Sequence, residues 1–288
     1  VANFYERRAR RILPALYLVM LFSILFAWFW LRAHDMKDFS ESLFAVSLFL
    51  SNILFWSESG YFDAAAEFKP LLHTWSLAVE EQYYILFPLL MMLFWRYGKR
   101  QTFIVLAIIG VTSFTFAQWA SVASPYAAFY LLPTRGWELM IGAFVALFLC
   151  QANRVEFSSN VSEVGGWLGL ALILFSVFSY SKSTPFPGVY ALIPTVGTAL
   201  IILFATKSTI IGKFIGNKFF VSIGLISYSA YLWHQPLFAF ARNISYNKPS
   251  NIVFVILTLA SIVLAYFTWR YIETPFRIKS KFSRKFIF

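Results

Sequence analysis

Long apolar runs separated by short polar segments make up most of the chain. Such runs recur at 12–31, 76–95, 102–119, 136–150, 165–181, 189–206, 219–240 and 252–271. Because about 20 apolar residues in a helix cross the hydrocarbon core of a bilayer, these eight runs predict eight transmembrane helices. A ninth run, 43–56, is short for a crossing, and we expect it to form a re-entrant or tilted segment that is covered by protein.

The composition supports this pattern. The residues are 59% hydrophobic and only 13% charged, which is more apolar surface than a soluble domain of this length can bury. The sequence therefore predicts an all-α, polytopic transmembrane helical bundle that forms one membrane-embedded domain over residues 1–288. The single cysteine, Cys150, excludes a disulfide framework and a cysteine-based metal site within this chain.

The distribution of charge predicts the orientation in the membrane. The net charge is +11, but the basic residues lie in short loops between apolar runs, as expected at a cytoplasmic membrane face rather than in a nucleic-acid site. If 43–56 does not cross, most of the 24 Lys and Arg residues share one side, and the acidic residues from Asp35 to Glu67 lie on the other. We therefore expect both termini of the chain to be cytoplasmic.

The stretch from His73 to Tyr84 (HTWSLAVEEQYY) places ionisable groups at the mouth of an apolar run. Ionisable residues at such a depth usually face a wet cavity or a partner, so His73, Glu80 and Glu81 are candidates for proton transfer. Helical spacing places His73, Glu80 and Tyr84 on one face, which favours Glu80 over Glu81. The alternative is an interfacial Glu pair within a Trp/Tyr belt, with no catalytic role.

Two further polar clusters and one histidine each have a functional and a structural interpretation. Arg7, Arg8 and Arg10 precede the first span and predict either a cytoplasmic anchor or bidentate ligands for phosphate oxygens. The charged residues Arg135 and Glu138 are spaced to pair on one helix face, either as a structural ion pair or as a wall of a reaction cavity. His234 predicts either a proton shuttle or a histidine satisfied by a neighbouring helix.

The stretch from His73 to Tyr84 resembles the signature of the acyltransferase 3 family. These bacterial integral-membrane enzymes O-acylate, and most often O-acetylate, glycans of the cell envelope. The arginine motif at Arg7, Arg8 and Arg10, the segment 133–143 and the segment 226–236 are also similar to family patterns. The resemblance implies transfer of an acyl group, most often acetyl, from cytoplasmic acyl-CoA to a hydroxyl of O-antigen, lipooligosaccharide or peptidoglycan, outside the bacterial inner membrane.

The resemblance also implies roles for individual residues. We expect no permanently bound cofactor and no metal, with acyl-CoA entering as the donor substrate. The expected catalytic residues are His73, Glu80, Glu81 and His234, and the expected acyl-CoA ligands are Arg7, Arg8 and Arg10. The residues expected to contact the glycan are Tyr61, Trp75, Tyr84, Arg135 and Glu138.

Typical family members begin with two further spans, the first of which carries an Arg and a His that is central to transfer. No counterpart precedes Val1 in this sequence. We therefore expect the chain to lack these spans or to receive them from a separate polypeptide, and we expect the 288 residues alone to be inactive. We also expect no extracytoplasmic hydrolase-like domain after the last span. A polar-solute transporter and an inactive membrane remnant stay open as alternatives.

Overall fold

A computed structural model describes residues 1–60, 66–150, 157–181, 184–245, 248–278, 280, 282 and 284. This part of the chain is helical and contains no strand. A 3-10 turn, Ala66–Phe68, precedes α4, and a π-helical turn, Trp269–Glu273, lies between α12 and α13. The helices are α1 (Ala2–Trp30), α2 (Ala33–Ser47), α3 (Ser51–Glu58), α4 (Thr74–Trp95), α5 (Lys99–Ala123), α6 (Pro125–Tyr130), α7 (Leu132–Leu149), α8 (Ser159–Ser179), α9 (Val189–Phe204), α10 (Ile210–Ile215), α11 (Lys218–Ile244), α12 (Asn251–Thr268) and α13 (Thr274–Arg277).

The predicted spans coincide with the long helices, namely α1, α4, α5, α7, α8, α9, α11 and α12. Among the described residues, six helical segments are long and apolar enough to cross a membrane: Ala2–Trp30, Thr74–Trp95, Lys99–Ala123, Pro125–Leu149, Ser159–Ser179 and Asn251–Arg277. Helix α9 is a shorter apolar helix of 16 residues. The chain is thus a multi-pass helical membrane protein, and eight crossings stay a prediction.

The apolar run 43–56 is not a single helix. Helix α2 ends at Ser47 and α3 begins at Ser51, and between them Phe49 has a φ of 54°. A bulky residue with positive φ cannot continue a right-handed helix. The two helices, of 15 and 8 residues, are each shorter than a perpendicular crossing requires, which agrees with the expectation that this run does not cross.

The chain divides into two compact units. The first contains Val1–Ala78 and Ser222–Phe288, and the second contains Val79–Val221. The first unit has a core of buried apolar side chains from α1 and α11, together with residues of α2 and the segment before α4. The boundary between the units falls inside α4, so the first turn of this helix belongs to the first unit.

Within the first unit, α1 and α11 run in the same direction. The Tyr228 hydroxyl donates to the Ile12 carbonyl oxygen at 3.0 Å, and further along both helices the rings of Phe22 and Trp233 lie 5.0 Å apart. Helix α12 then returns antiparallel to α11. The Trp233 indole N–H donates to the Thr268 hydroxyl at 2.9 Å, and one turn later on α11 the Phe238 ring lies 5.3 Å from that of Phe254, at the beginning of α12. The π-helical turn and α13 therefore lie beside the beginning of α1.

Within the second unit, α8 packs tightly against α9. A Cβ atom added to Gly169 would lie 2.6 Å from the carbonyl oxygen of Gly197, and one added to Gly197 would lie 2.8 Å from that of Gly169. Helix α5 is fixed to α7 by Ser113, whose hydroxyl donates to the Pro133 carbonyl oxygen at 2.7 Å. Such close approach at small residues is typical of helices packed in membranes.

Candidate functional site

The segment before α4 is held by the C-terminal half of α11. The Gln235 side-chain amide donates to the Lys69 carbonyl oxygen at 3.1 Å, and the Asn243 amide donates to the Phe68 carbonyl oxygen at 2.9 Å. The Lys69 ammonium also pairs with Glu58 of α3 at 3.0 Å. These contacts fix the chain immediately before His73 and therefore determine which part of α11 the His73 ring meets.

Four side chains of the first unit meet at this place, and we call them the imidazole cluster: His73, Ser76, Tyr231 and His234. The ring centroids of His73 and His234 are 5.5 Å apart, and the Tyr231 ring is 5.1 Å from His73. The Tyr231 hydroxyl donates to the His73 carbonyl oxygen and lies 2.7 Å from the Ser76 hydroxyl. Since the tyrosine proton is used in this way, Ser76 is the donor in the second contact.

The His73 imidazole is enclosed and neutral. The residue is 7% exposed, and among the described residues neither ring nitrogen makes a hydrogen bond of full geometry, although the Leu232 backbone is close enough to interact weakly. Burial, with a smaller contribution from the neighbouring His234 ring, lowers the pKa of His73 to about 3. A ring that stays neutral throughout the physiological range is a poor proton acceptor, because its conjugate acid is too costly at this position.

The His234 imidazole has a defined tautomer. Its Nδ1 atom lies 2.6 Å from the Tyr231 carbonyl oxygen. Because a carbonyl oxygen can only accept, Nδ1 carries the proton in this hydrogen bond, and Nε2 of the neutral ring is left with its lone pair. The His234 residue is half-buried, whereas His73 is buried.

A cationic cavity of about 440 Å³ lies at the other end of α1. Its lining, which we call the arginine cavity, consists of Phe4, Arg7, Arg8, Arg10, Arg11 and Arg277. The first five residues lie on the opening turns of α1, and Arg277 is contributed by α13. Clustered guanidinium groups are the arrangement that proteins use to bind phosphate oxygens.

The structure gives Arg10 a different role from Arg7 and Arg8. The Arg10 guanidinium is 3% exposed, pairs with Glu6 at 2.9 Å, and donates to the carbonyl oxygens of Phe276 and Phe282 at 3.2 and 2.9 Å. These contacts use the Nε atom and both terminal nitrogens of the guanidinium. Arg10 therefore fixes the beginning of α1 to α13 and to the segment after it.

The two adjacent carboxylates of α4 differ in burial. Glu80 is exposed, whereas Glu81 is 9% exposed. Helical spacing favours Glu80 as the functional carboxylate, because it places Glu80 on the same face as His73. In the structure, however, Glu81 is the carboxylate that is removed from solvent. Trp75 and Tyr84, both expected to contact the glycan, are half-buried.

Arg135 and Glu138 of the second unit form the ion pair that their spacing predicts. Their closest atoms are 3.4 Å apart, and the Arg135 guanidinium also lies 5.1 Å from the centre of the Phe186 ring. Glu138 lines a cavity of about 320 Å³ together with Thr195. The expected glycan contact Tyr61 lies outside the described residues.

Three residues of the arginine cavity and its surroundings, namely Arg11, Glu273 and Arg277, are not among the predicted site residues. Arg11 is a member of the N-terminal arginine cluster and could be found from its spacing, since residues 7 and 11 are one helical turn apart. Arg277 and the buried Glu273 are distant in sequence from the cavity. Only the antiparallel return of α12 brings them there.

Comparison with known proteins gives consistent matches over most of the chain. The profile of the acyltransferase domain family (acyltransferase 3) matches residues 1–270. A Haemophilus influenzae protein described as uncharacterized is 32% identical over 216 residues, which cover 72% of this chain and 88% of that protein. No solved structure matches significantly.

Two of the relatives have a described activity. The peptidoglycan O-acetyltransferase OatA of Listeria monocytogenes is 28% identical over 290 residues, or 96% of this chain and 46% of that protein. The O-acetyltransferase OatA of Staphylococcus aureus is 28% identical over 297 residues, or 96% of this chain and 47% of that protein. The chain thus spans about half the length of these two O-acetyltransferases.

Proposed function

The chain belongs to the acyltransferase 3 family, and we propose on that premise that it transfers an acetyl group from cytoplasmic acyl-CoA to a hydroxyl of an extracytoplasmic envelope glycan. The proposal is supported by the two O-acetyltransferases that are similar to nearly all of the chain. One of them is described as acting on peptidoglycan, which makes peptidoglycan the first acceptor to test.

The observation that carries the proposal is the presence of a cationic cavity and a half-buried histidine in one compact unit. The arginine cavity lies at the beginning of α1, and His234 follows Trp233, which contacts Phe22. From Arg8 to Phe22 the rise along α1 is about 20 Å, at 1.5 Å per residue. A donor held by its phosphates at one end of α1 must therefore extend a long arm to present its thioester near His234, as acyl-CoA does.

In the proposed reaction, His234 is the general base. Its Nε2 atom accepts the proton of the glycan hydroxyl, and the hydroxyl oxygen attacks the carbonyl carbon of the thioester. The new C–O ester bond forms as the C–S bond breaks. The departing thiolate of CoA then takes the proton from the imidazolium and leaves as a thiol. The Tyr231 carbonyl oxygen, which accepts from Nδ1–H, stabilises the imidazolium between these steps.

In the same proposal, the arginine cavity binds the donor and the other cluster members position the base. Arg7, Arg8 and Arg11 contact the phosphates of acyl-CoA, because guanidinium groups can bind phosphate oxygens bidentately. His73 remains neutral and packs against His234, and Tyr231 fixes the segment that carries His73.

The test is transfer of radiolabel from acetyl-CoA to envelope glycan in membranes that contain the protein. Two arms are needed: the chain alone, and the chain co-expressed with the two N-terminal spans of a related family member. Base-labile label in the glycan fraction of either arm supports the proposal. Label that accumulates inside vesicles without becoming covalently bound would instead indicate a transporter, and an absence of label in both arms would refute acyl transfer.

A further inference from the structure

The side chain of Arg277 reaches the arginine cavity from the opposite end of the sequence. It lies in α13, directly after the π-helical turn, and lines the cavity with the arginines of α1. Its side chain is 35% exposed, whereas that of its partner Glu273 is fully buried. The guanidinium is therefore accessible to a ligand on one side and held by protein on the other.

Glu273 holds Arg277 with one carboxylate oxygen and is itself held by the other. The Arg277 guanidinium donates to Oε2 at 2.6 Å, and the Ser229 hydroxyl donates to Oε1. A buried carboxylate is stable only when it is paired and hydrogen-bonded, and here both oxygens have partners. Ser229 lies on α11, so the contact connects the π-helical turn to the helix that carries His234.

The π-helical turn changes the helix face on which Glu273 and Arg277 lie. One extra residue in a helical turn rotates everything that follows by about 100° relative to an uninterrupted α-helix. The turn covers Trp269–Glu273 and is closed by Thr274, whose hydroxyl donates to the Trp269 carbonyl oxygen at 2.8 Å. Glu273 thus faces Ser229 while Arg277, one turn later, faces the cavity. Single π-helical turns of this kind are frequent at functional sites.

The charges around the cavity are unequal. Five arginines line it, and among the described residues Glu6 pairs with Arg10 and Glu273 pairs with Arg277. The lining therefore carries a net positive charge. Arg10 is enclosed and uses its nitrogens on protein oxygens, so the accessible face of Arg277 is better placed to meet an anion than Arg10 is.

We propose that Arg277 is a further ligand for the phosphate groups of the acyl-CoA donor, and that Glu273 is the residue that positions it. This inference rests on the proposed function, because it names a donor contact of the same site. It also reassigns Arg10, which we expected to contact the donor, to holding the ends of the unit together.

The test is direct binding of coenzyme A to the purified protein in phosphatidylcholine nanodiscs, measured by calorimetry. Loss of a charge-assisted contact to phosphate predicts that Arg277→Gln weakens binding by about tenfold or more. Arg277→Lys should recover only part of the affinity, because an ammonium lacks the bidentate fork. Arg270→Gln is the matched control, since Arg270 is an exposed arginine of the same segment outside the cavity lining, and it should leave binding unchanged.

The positioning role of Glu273 has its own readout. Glu273→Gln should weaken coenzyme A binding in the wild-type background but add nothing further in the Arg277→Gln background, because it acts through that residue. A purely structural role would lower the melting temperature and add to the Arg277→Gln effect. Unfolding curves of all four proteins are recorded alongside, so that a variant that fails to fold is recognised.

Two results would overturn the inference. The first is an unchanged affinity of Arg277→Gln for coenzyme A, and the second is an equal loss in Arg270→Gln. If the affinity is unchanged, reduced retention of phosphatidylglycerol by Arg277→Gln would identify a lipid-headgroup site instead. Coenzyme A binding that depends on Arg277 in a protein that transfers no acyl group would support the site and refute the proposed function, so the two failures are distinguishable.

Discussion

The neutral His73 imidazole makes stability depend on pH in a calculable way. Burial lowers the pKa of His73 from its ordinary value of 6.5 to about 3. In the unfolded chain the ring is in water and titrates near 6.5. Below that pH the unfolded state binds a proton that the folded state does not bind until the pH approaches 3, so stability is lost as the pH falls through this window.

The size of the effect follows from the same two values. Each pH unit between them removes about 1.4 kcal/mol from the free energy of unfolding. Lowering the pH from 7.5 to 5.0 crosses about 1.5 units of this window, so His73 alone accounts for a loss of about 2 kcal/mol. His73→Gln cannot be protonated and should abolish this part of the pH dependence.

The assay is thermal unfolding followed by tryptophan fluorescence in detergent at both pH values. The quantity compared is the drop in melting temperature between pH 7.5 and 5.0, which should be larger for the wild type than for His73→Gln. His34→Gln is the control, because its imidazole is 87% exposed, and it should keep the wild-type drop. An equal drop in the wild type and His73→Gln would refute the reasoning.

Three further outcomes follow from the burial of individual residues. Arg10→Ala should lower the free energy of unfolding by about 3–5 kcal/mol, because it leaves a buried carboxylate unpaired. Arg8→Ala should instead leave the free energy of unfolding unchanged and weaken coenzyme A binding. Similar effects of both variants on unfolding would contradict the structural role of Arg10. Glu81→Gln should reduce acyl transfer more than Glu80→Gln, measured with radiolabelled acetyl-CoA, because only Glu81 is buried; equal rates would remove that distinction. Gly197→Ala should destabilise the protein by about 1–3 kcal/mol through overpacking, seen as a lower melting temperature, and an unchanged value would show that the helices separate easily.

The sequence predicts the helical membrane fold and the family correctly. The apolar runs coincide with helices, and the chain matches the acyltransferase family over residues 1–270. The motif from His73 to Tyr84 implies an acyltransferase, and that match confirms this class. These features can be predicted from the sequence because hydrophobic periodicity and a local motif both depend on consecutive residues.

The site is only partly recoverable from the sequence, because its residues come from distant segments. The arginines of α1 are visible as a cluster, but Arg277 joins them only through the antiparallel packing of α12. Helical spacing likewise places Glu80 on the favoured face, whereas burial in the fold distinguishes Glu81. The roles of His73, Glu80, Glu81 and His234 in catalysis stay predictions.

Spacing also cannot separate the two candidate histidines. In the sequence, both His73, at the mouth of one apolar run, and His234, within another, are candidates for proton transfer. In the fold, His73 is enclosed and neutral, whereas His234 donates from Nδ1 to the Tyr231 carbonyl oxygen and keeps Nε2 as an acceptor. That distinction depends on a backbone oxygen one turn away on the same helix and on the contacts of α11 with the segment before α4.

The most direct test of acyl transfer is the ester content of the envelope glycan in cells. The quantity measured is the acetate that mild alkali releases from purified glycan. Three kinds of cells are compared: cells that express the protein with any N-terminal spans it requires, cells that express His234→Ala at an equal level, and cells with an empty vector. The account predicts base-labile acetate with the wild type only. Equal acetate in all three, or undiminished acetate with His234→Ala, would contradict it.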